Sequence, residues 1–170
     1  MSALLSGCKV EPKLNFTPEF LSIDEIHNLT SMVDIIFPKT STPSASEVGV
    51  PEFMDGMLAN VADVEAKERF KAGMLKFNEK VQAEHGGTYA SLDENAKKDF
   101  LTKLDADAFS EEKAIDEVLA DYWKGIKGNT YFGYFSSEKV AKEVLVYPYQ
   151  GKYEGCVDLM EATGGKSWAF

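Results

Sequence analysis

The 170-residue sequence predicts an all-α fold: a single-domain helical bundle of about six helices, with a long irregular C-terminal tail rich in aromatic residues. Three observations carry this. Apolar residues recur at three- and four-residue spacing over most of the chain, the repeat that lines one face of an α-helix. Most of these runs have a capping residue in front and a glycine or proline behind. Alternating apolar and polar positions are scarce; only Val144 to Tyr149 reads as a candidate short strand.

The elements follow in order. Ser22-Ile23-Asp24-Glu25 has the form of a capping box, with a hydroxyl at the N-cap and a carboxylate three residues on. Ile23, Ile26, Leu29, Val33 and Ile36 continue at helical spacing until Pro38 stops the helix. Thr40 to Val50 is too polar and too broken by Ser, Thr and Pro for regular structure. Pro51 suits the first turn of a second helix, where its missing N–H costs nothing, and Phe53, Met54, Met57, Leu58 and Val61 form its apolar face. Asp63 caps a long third helix with Phe70, Met74, Phe77 and Val81 inward, released at Gly86-Gly87. A fourth begins at Leu92-Asp93 and buries Phe100, Leu101 and Leu104. Ser110 is the expected cap of a fifth, carrying Ile115, Val118, Leu119, Tyr122, Trp123 and Ile126. Gly128 ends it, or the helix resumes through Asn129 to Gly133. Ser136 or Ser137 caps a sixth with Val140, Val144 and Leu145. Beyond Pro148 the glycines at 151, 155, 164 and 165 indicate an irregular tail.

Net charge is −10, with the acids spread along helices rather than run together. Nucleic acid and anionic membrane surfaces call for a basic footprint, so neither is expected as the main partner. Two histidines, His27 and His85, far apart in sequence, with no CxxC or HxxxH spacing, do not suggest a metal cluster. No stretch reaches the ~20 apolar residues needed to span a bilayer.

Leu5-Ser6-Gly7-Cys8 has the form of a bacterial lipobox, which makes Cys8 a lipidation candidate. The residues before it are too few for a whole signal peptide, so residues 1–19 read as a truncated lipoprotein signal remnant and tether, and residues 20–170 as the helical domain. The alternative is a chance match in a native N-terminus.

No catalytic constellation is recognisable. Cys156 has no neighbouring base in the sequence, and there is no Gly-x-Ser-x-Gly elbow. No glycine-rich phosphate loop is present. Glu111-Glu112 and Asp105/Asp107 fit solvated helix faces better than acid–base pairs, and His85 sits at a helix end, where positive charge is favourable. Catalytic, cofactor-binding and metal-binding residues are therefore all expected to be none. The last quarter of the chain is crowded with Tyr131, Phe132, Tyr134, Phe135, Tyr147, Tyr149, Tyr153 and Trp168. Rings with polar handles serve both cores and interfaces, and both uses stay open here.

Three groups of motifs, in this order, resemble one known family. The first is Asp34-Ile35-Ile36-Phe37-Pro38-Lys39-Thr40, Thr42-Pro43 and Gly49-Val50-Pro51-Glu52-Phe53-Met54-Asp55. The second is Tyr131-Phe132-Gly133-Tyr134-Phe135-Ser136-Ser137-Glu138 and Val144-Leu145-Val146-Tyr147-Pro148. The third is Gly151-Lys152-Tyr153-Glu154-Gly155-Cys156 and the closing Gly165-Lys166-Ser167-Trp168-Ala169. Together, over about residues 20 to 170, they resemble the gluconate 2-dehydrogenase subunit 3 family.

The resemblance implies a small, non-catalytic accessory subunit of a periplasmic or membrane-bound sugar or sugar-acid dehydrogenase. Its large partner would be an FAD-dependent subunit of the glucose–methanol–choline type, and electrons would leave to a cytochrome c. The small subunit would support folding and export of the large one, typically by carrying the signal peptide. No cofactor is implied in this chain. Cys8 departs from common members and implies a lipid anchor at the membrane. The family commonly has a cysteine at the position of Cys156, so the resemblance makes it an intersubunit disulfide candidate; the competing reading is a buried free thiol. The eight aromatics named above become partner-interface candidates. The competing function is a stand-alone periplasmic lipoprotein that binds a small carbohydrate on those rings.

Overall fold

Ser22 opens the first helix through both halves of the capping box. Its hydroxyl accepts the Glu25 N–H at 3.3 Å, and the Glu25 carboxylate accepts the Ser22 N–H at 2.7 Å. The computed structural model describes residues 14–112, 114–147 and 155–169. Helix α1 spans Ile23–Ile36 and buries Ile26, Leu29, Met32 and Val33; Ile23, expected inward, is 57% exposed in the first turn. The polar stretch after Pro38 is more ordered than its composition suggested. It contains a 3-10 turn at Ser46–Val48, held because Asp34 on α1 accepts both the N–H and the hydroxyl of Ser46, at 2.8 and 2.7 Å.

Gly49 adopts φ +81° and starts α2 (Val50–Asn60), with Pro51 in the first turn as expected. Asp63 caps α3 (Val64–His85) by accepting the Ala66 N–H at 2.7 Å, and Gly86 at φ +70° ends it. A second 3-10 turn, Tyr89–Ser91, leads to α4 (Glu94–Ala108), where Asp93 accepts the Ala96 N–H at 2.9 Å.

The fifth helix differs from the expectation at both ends. Ser110 caps nothing longer than a turn, where its hydroxyl accepts the Glu112 N–H. Asp116 is the cap of α5 (Glu117–Ser136), accepting from Val118 and Leu119. The acid prevails because it meets two free N–H groups at once, next to the positive end of the helix. Gly128 does not end the helix; α5 runs on through Gly125, Gly128 and Gly133. Packing of Ile126, Thr130 and Tyr134 on the same buried face holds it together past the glycines.

Ser137, rather than Ser136, caps α6 (Glu138–Glu143). The tail contributes a short α7 (Leu159–Thr163), capped by Asp158 and ended by Gly164 at φ +64°, which the glycine content had hidden. The candidate strand at Val144 amounts to one parallel bridge between Val146 and Trp168, with Ala169 buried beside it. The described residues thus form seven α-helices and no strand.

Helix α5 is the centre of the bundle and touches α1, α2, α3, α4 and α6. Its closest approach is to α3: a Cβ placed on Gly73 would lie 2.3 Å from the Tyr122 Cβ, so only glycine lets the two backbones come this near. The core joins Phe77, Phe100, Leu101, Leu104, Leu119, Tyr122, Trp123 and Ile126 with the buried face of α1. Burial pushes the phenols of Tyr89 and Tyr122 well above their ordinary range, so both are neutral hydroxyls at all ordinary pH.

Candidate partner interface

Two neighbouring rings on α5 have opposite surroundings. Tyr134 is buried; its ring stacks on Phe37 at 4.2 Å with the planes 4° apart, and its hydroxyl donates to the Pro43 carbonyl at 2.9 Å. Phe37 also meets Tyr131 and Phe135 edge-on, at 4.9 and 5.5 Å. Tyr134 and much of Phe135 therefore belong to the chain's own core, and this cluster pins the C-terminal half of α5 to the loop after α1.

Phe132 points the other way and is 57% exposed. It lies 5.8 Å from the ring of Phe53 on α2. Phe53 itself leans on Gly133, where a Cβ would approach its ring to 2.8 Å. Met57, one turn beyond Phe53, is also exposed. Tyr131 is 46% exposed, as are Tyr147 (58%) and Trp168 (44%) near the Val146 bridge. These rings present apolar surface to solvent in the chain by itself. Spacing puts Phe53 and Met57 on one apolar face of α2; Phe53 is half-buried against the core, and Met57 is exposed.

Cys156 is an exposed free thiol in a left-handed backbone conformation, φ 56°. It is thus not a buried thiol in the chain by itself. Tyr149, Tyr153 and Cys8 lie outside the described residues.

The acidic and imidazole side chains take structural parts. Asp105 accepts the Trp123 indole N–H at 2.8 Å and the Lys127 ammonium at 2.7 and 2.9 Å, tying α4 to α5. Glu111 and Glu112 are exposed. His85 rests edge-on against Phe100 at 5.7 Å in the last turn of α3. Lys39 beside Glu47 holds that carboxyl below its usual range, as Lys80 does for Glu84. Among the described residues no three His, Cys, Asp or Glu side chains converge as metal ligands would, and no helix is long and apolar enough to cross a membrane.

Asp55 has a role that its place in the Gly49–Asp55 motif does not reveal. It is 2% exposed, and its carboxylate accepts three consecutive backbone N–H groups, from Glu19 (2.6 Å), Phe20 (3.1 Å) and Leu21 (2.8 Å). This clamps the segment entering α1 onto α2. It closes the same Gly49–Asp55 motif that carries part of the resemblance.

Comparison with known families decides the matter. The family model described as "Gluconate 2-dehydrogenase subunit 3" matches residues 23–154. The chain belongs to the gluconate 2-dehydrogenase subunit 3 family. The matched span runs from the first residue of α1 past α6, so it takes in the Asp34–Ser46 contact, Asp55 itself and the whole Phe37 aromatic cluster, while the backbone donors clamped by Asp55 lie just before it. Membership makes the chain a small subunit of a dehydrogenase complex. No curated protein and no solved structure shows a significant match.

Proposed function

We propose that this subunit 3 family member is non-catalytic and acts by packing against an FAD-dependent large subunit of the glucose–methanol–choline type, which oxidises a sugar or sugar acid. The observation that carries the reading is the exposed ring of Phe132 beside Phe53, at the edge of the packed α2–α5 pair, in a chain whose family is that of a dehydrogenase subunit. A small subunit that covers an apolar patch of its partner stabilises the partner's folded state by linkage, without chemistry of its own. The polar groups in the bundle support this. Asp105, Asp34 and Asp55 are engaged in holding helices and loops together, and none forms a nucleophile–base pair.

In the same reading the complex works in the periplasm, with Cys8 as the lipid anchor and a cytochrome c taking the electrons. In this reading Cys156, an exposed thiol in the chain by itself, pairs with a thiol of the large subunit. Co-expression with an FAD-dependent dehydrogenase subunit, followed by size exclusion, tests the packing. A stoichiometric flavin-containing complex is expected from the parent chain, and a weakened one from Phe132→Ala. Full-strength association of Phe132→Ala would remove that face from the interface.

A further inference from the structure

Residues 14–21, just before α1, form a strap that touches both α2 and α3. Leu14, Phe16 and Phe20 are partly buried against the core. The Phe20 ring meets Phe70 of α3 edge-on at 6.3 Å, with the Lys71 ammonium 5.0 Å from its centre. On α2, Asp55 accepts the N–H groups of Glu19, Phe20 and Leu21, and the Asn60 amide donates to the Glu19 carboxylate at 3.0 Å.

The strap and the exposed apolar edge lie on opposite sides of the same helix. At about 100° per residue, Asp55 is on the far side of α2 from both Phe53 and Met57, with the buried Val50, Pro51 and Met54 between them. Phe53 leans on Gly133 of α5 and lies 5.8 Å from the ring of Phe132. With 11 residues, α2 is too short to be set by its own propensity, so contacts along its two edges fix how it is turned about its axis. Side-chain tips lie about 5–6 Å from a helix axis, so a roll of about 20° carries the Phe53 ring about 2 Å, more than a close-packed contact tolerates. Three bonds to one buried carboxylate are a strong and directional restraint against such a roll.

We propose that the strap, through Asp55, sets the roll of α2 and so the partner-binding edge made by Phe53, Met57 and Phe132. Asp55 is then a positioning residue for the partner face. Closure of the strap and binding of the large subunit favour each other, because each selects the same setting of α2. This rests on the large-subunit reading above.

The test uses the full chain, alone and in complex with its FAD-dependent subunit. Hydrogen exchange is followed at the amides of Glu19, Phe20 and Leu21 in the parent chain, so no variant has to fold. Coupling slows these three amides about fivefold in the complex, and by reciprocity Asp55→Asn weakens association by a similar factor. Val81→Ala, a core change on α3 that leaves the strap intact, keeps the parent affinity. Unchanged exchange at the three amides overturns the proposal. Slowing that extends equally to the exposed Asn15 and Thr17 also overturns it, because the partner would then cover the strap directly. Parent affinity in Asp55→Asn, or equal weakening by Asp55→Asn and Val81→Ala, overturns it as well. Failure of the parent chain to form any flavoprotein complex sinks the subunit reading itself.

Discussion

The Asp55 carboxylate accepts the backbone N–H of Leu21 at 2.8 Å across a sequence separation of 34, and the same carboxylate takes the N–H groups of Phe20 and Glu19. The chain thus solves the problem of three adjacent backbone donors near its core with one buried acid. Removing the acid leaves all three without a partner. Asp55→Ala is expected to lower stability by roughly 3 kcal/mol, and Asp55→Asn, which keeps one acceptor oxygen, by about half as much. Urea unfolding followed by circular dichroism measures both; equal stability of Asp55→Ala and parent would show that the clamp contributes nothing.

The helix glycines should respond to alanine with opposite signs. Gly73→Ala drives a methyl into Tyr122 across the α3–α5 crossing and should cost roughly 2 kcal/mol or more. A Cβ at Gly125 or Gly128 meets nothing within 4 Å, so alanine there should stabilise α5 by about 0.5–1 kcal/mol. Thermal melts of the three variants check this. A stabilising Gly73→Ala would contradict the close crossing.

Tyr134 and Phe132 should separate folding from binding. Tyr134→Phe loses the buried hydrogen bond to Pro43 and should cost about 1 kcal/mol, while Tyr134→Ala, which also empties the stack on Phe37, should cost roughly 3–5 kcal/mol. Phe132→Ala should change the stability of the isolated chain by no more than about 0.5 kcal/mol. The reverse pattern, with Phe132→Ala the damaging change in the isolated chain, would contradict the assignment of these rings.

Much of this was legible in the sequence, for physical reasons that can be named. Ser22, Asp63 and Pro51 announce helix starts because each satisfies or lacks a particular N–H, and Gly86 marks an end because it alone turns left-handed without strain. Ser110 misled because it is also a good cap residue; only tertiary packing selects Asp116. Asp55 stayed hidden since an acid next to Met54 looks like a solvated position, and its three donors come from a distant segment. The split between Tyr134 and Phe132 was within reach. Extending the buried series Leu119, Trp123, Ile126 through Thr130 to Gly133 and Tyr134 puts Phe132 outside, once α5 is taken as continuous through Gly128.

The Glu84 carboxyl gives the fold a small acid-sensitive contribution. Lys80 at 2.8 Å and then Lys103 at 3.3 Å lower its folded-state pKa. A depressed carboxyl stabilises the fold above its unfolded value of about 4.3, and that stability is lost as pH falls through the folded value. Glu84→Gln should therefore cost about 0.5 kcal/mol near pH 7, with the gap to the parent closing as pH drops below about 4. Denaturant melts at pH 7 and pH 3 check it; a gap that widens in acid would reverse the sign assigned to these pairs.

The most direct test of the subunit account compares the purified chain alone with its complex with an FAD-dependent dehydrogenase subunit. Flavin absorbance and sugar-dependent reduction of a dye are measured on both samples. The account predicts flavin and turnover in the complex and neither in the isolated chain. Turnover, or a tightly held redox group, in the isolated chain would contradict it.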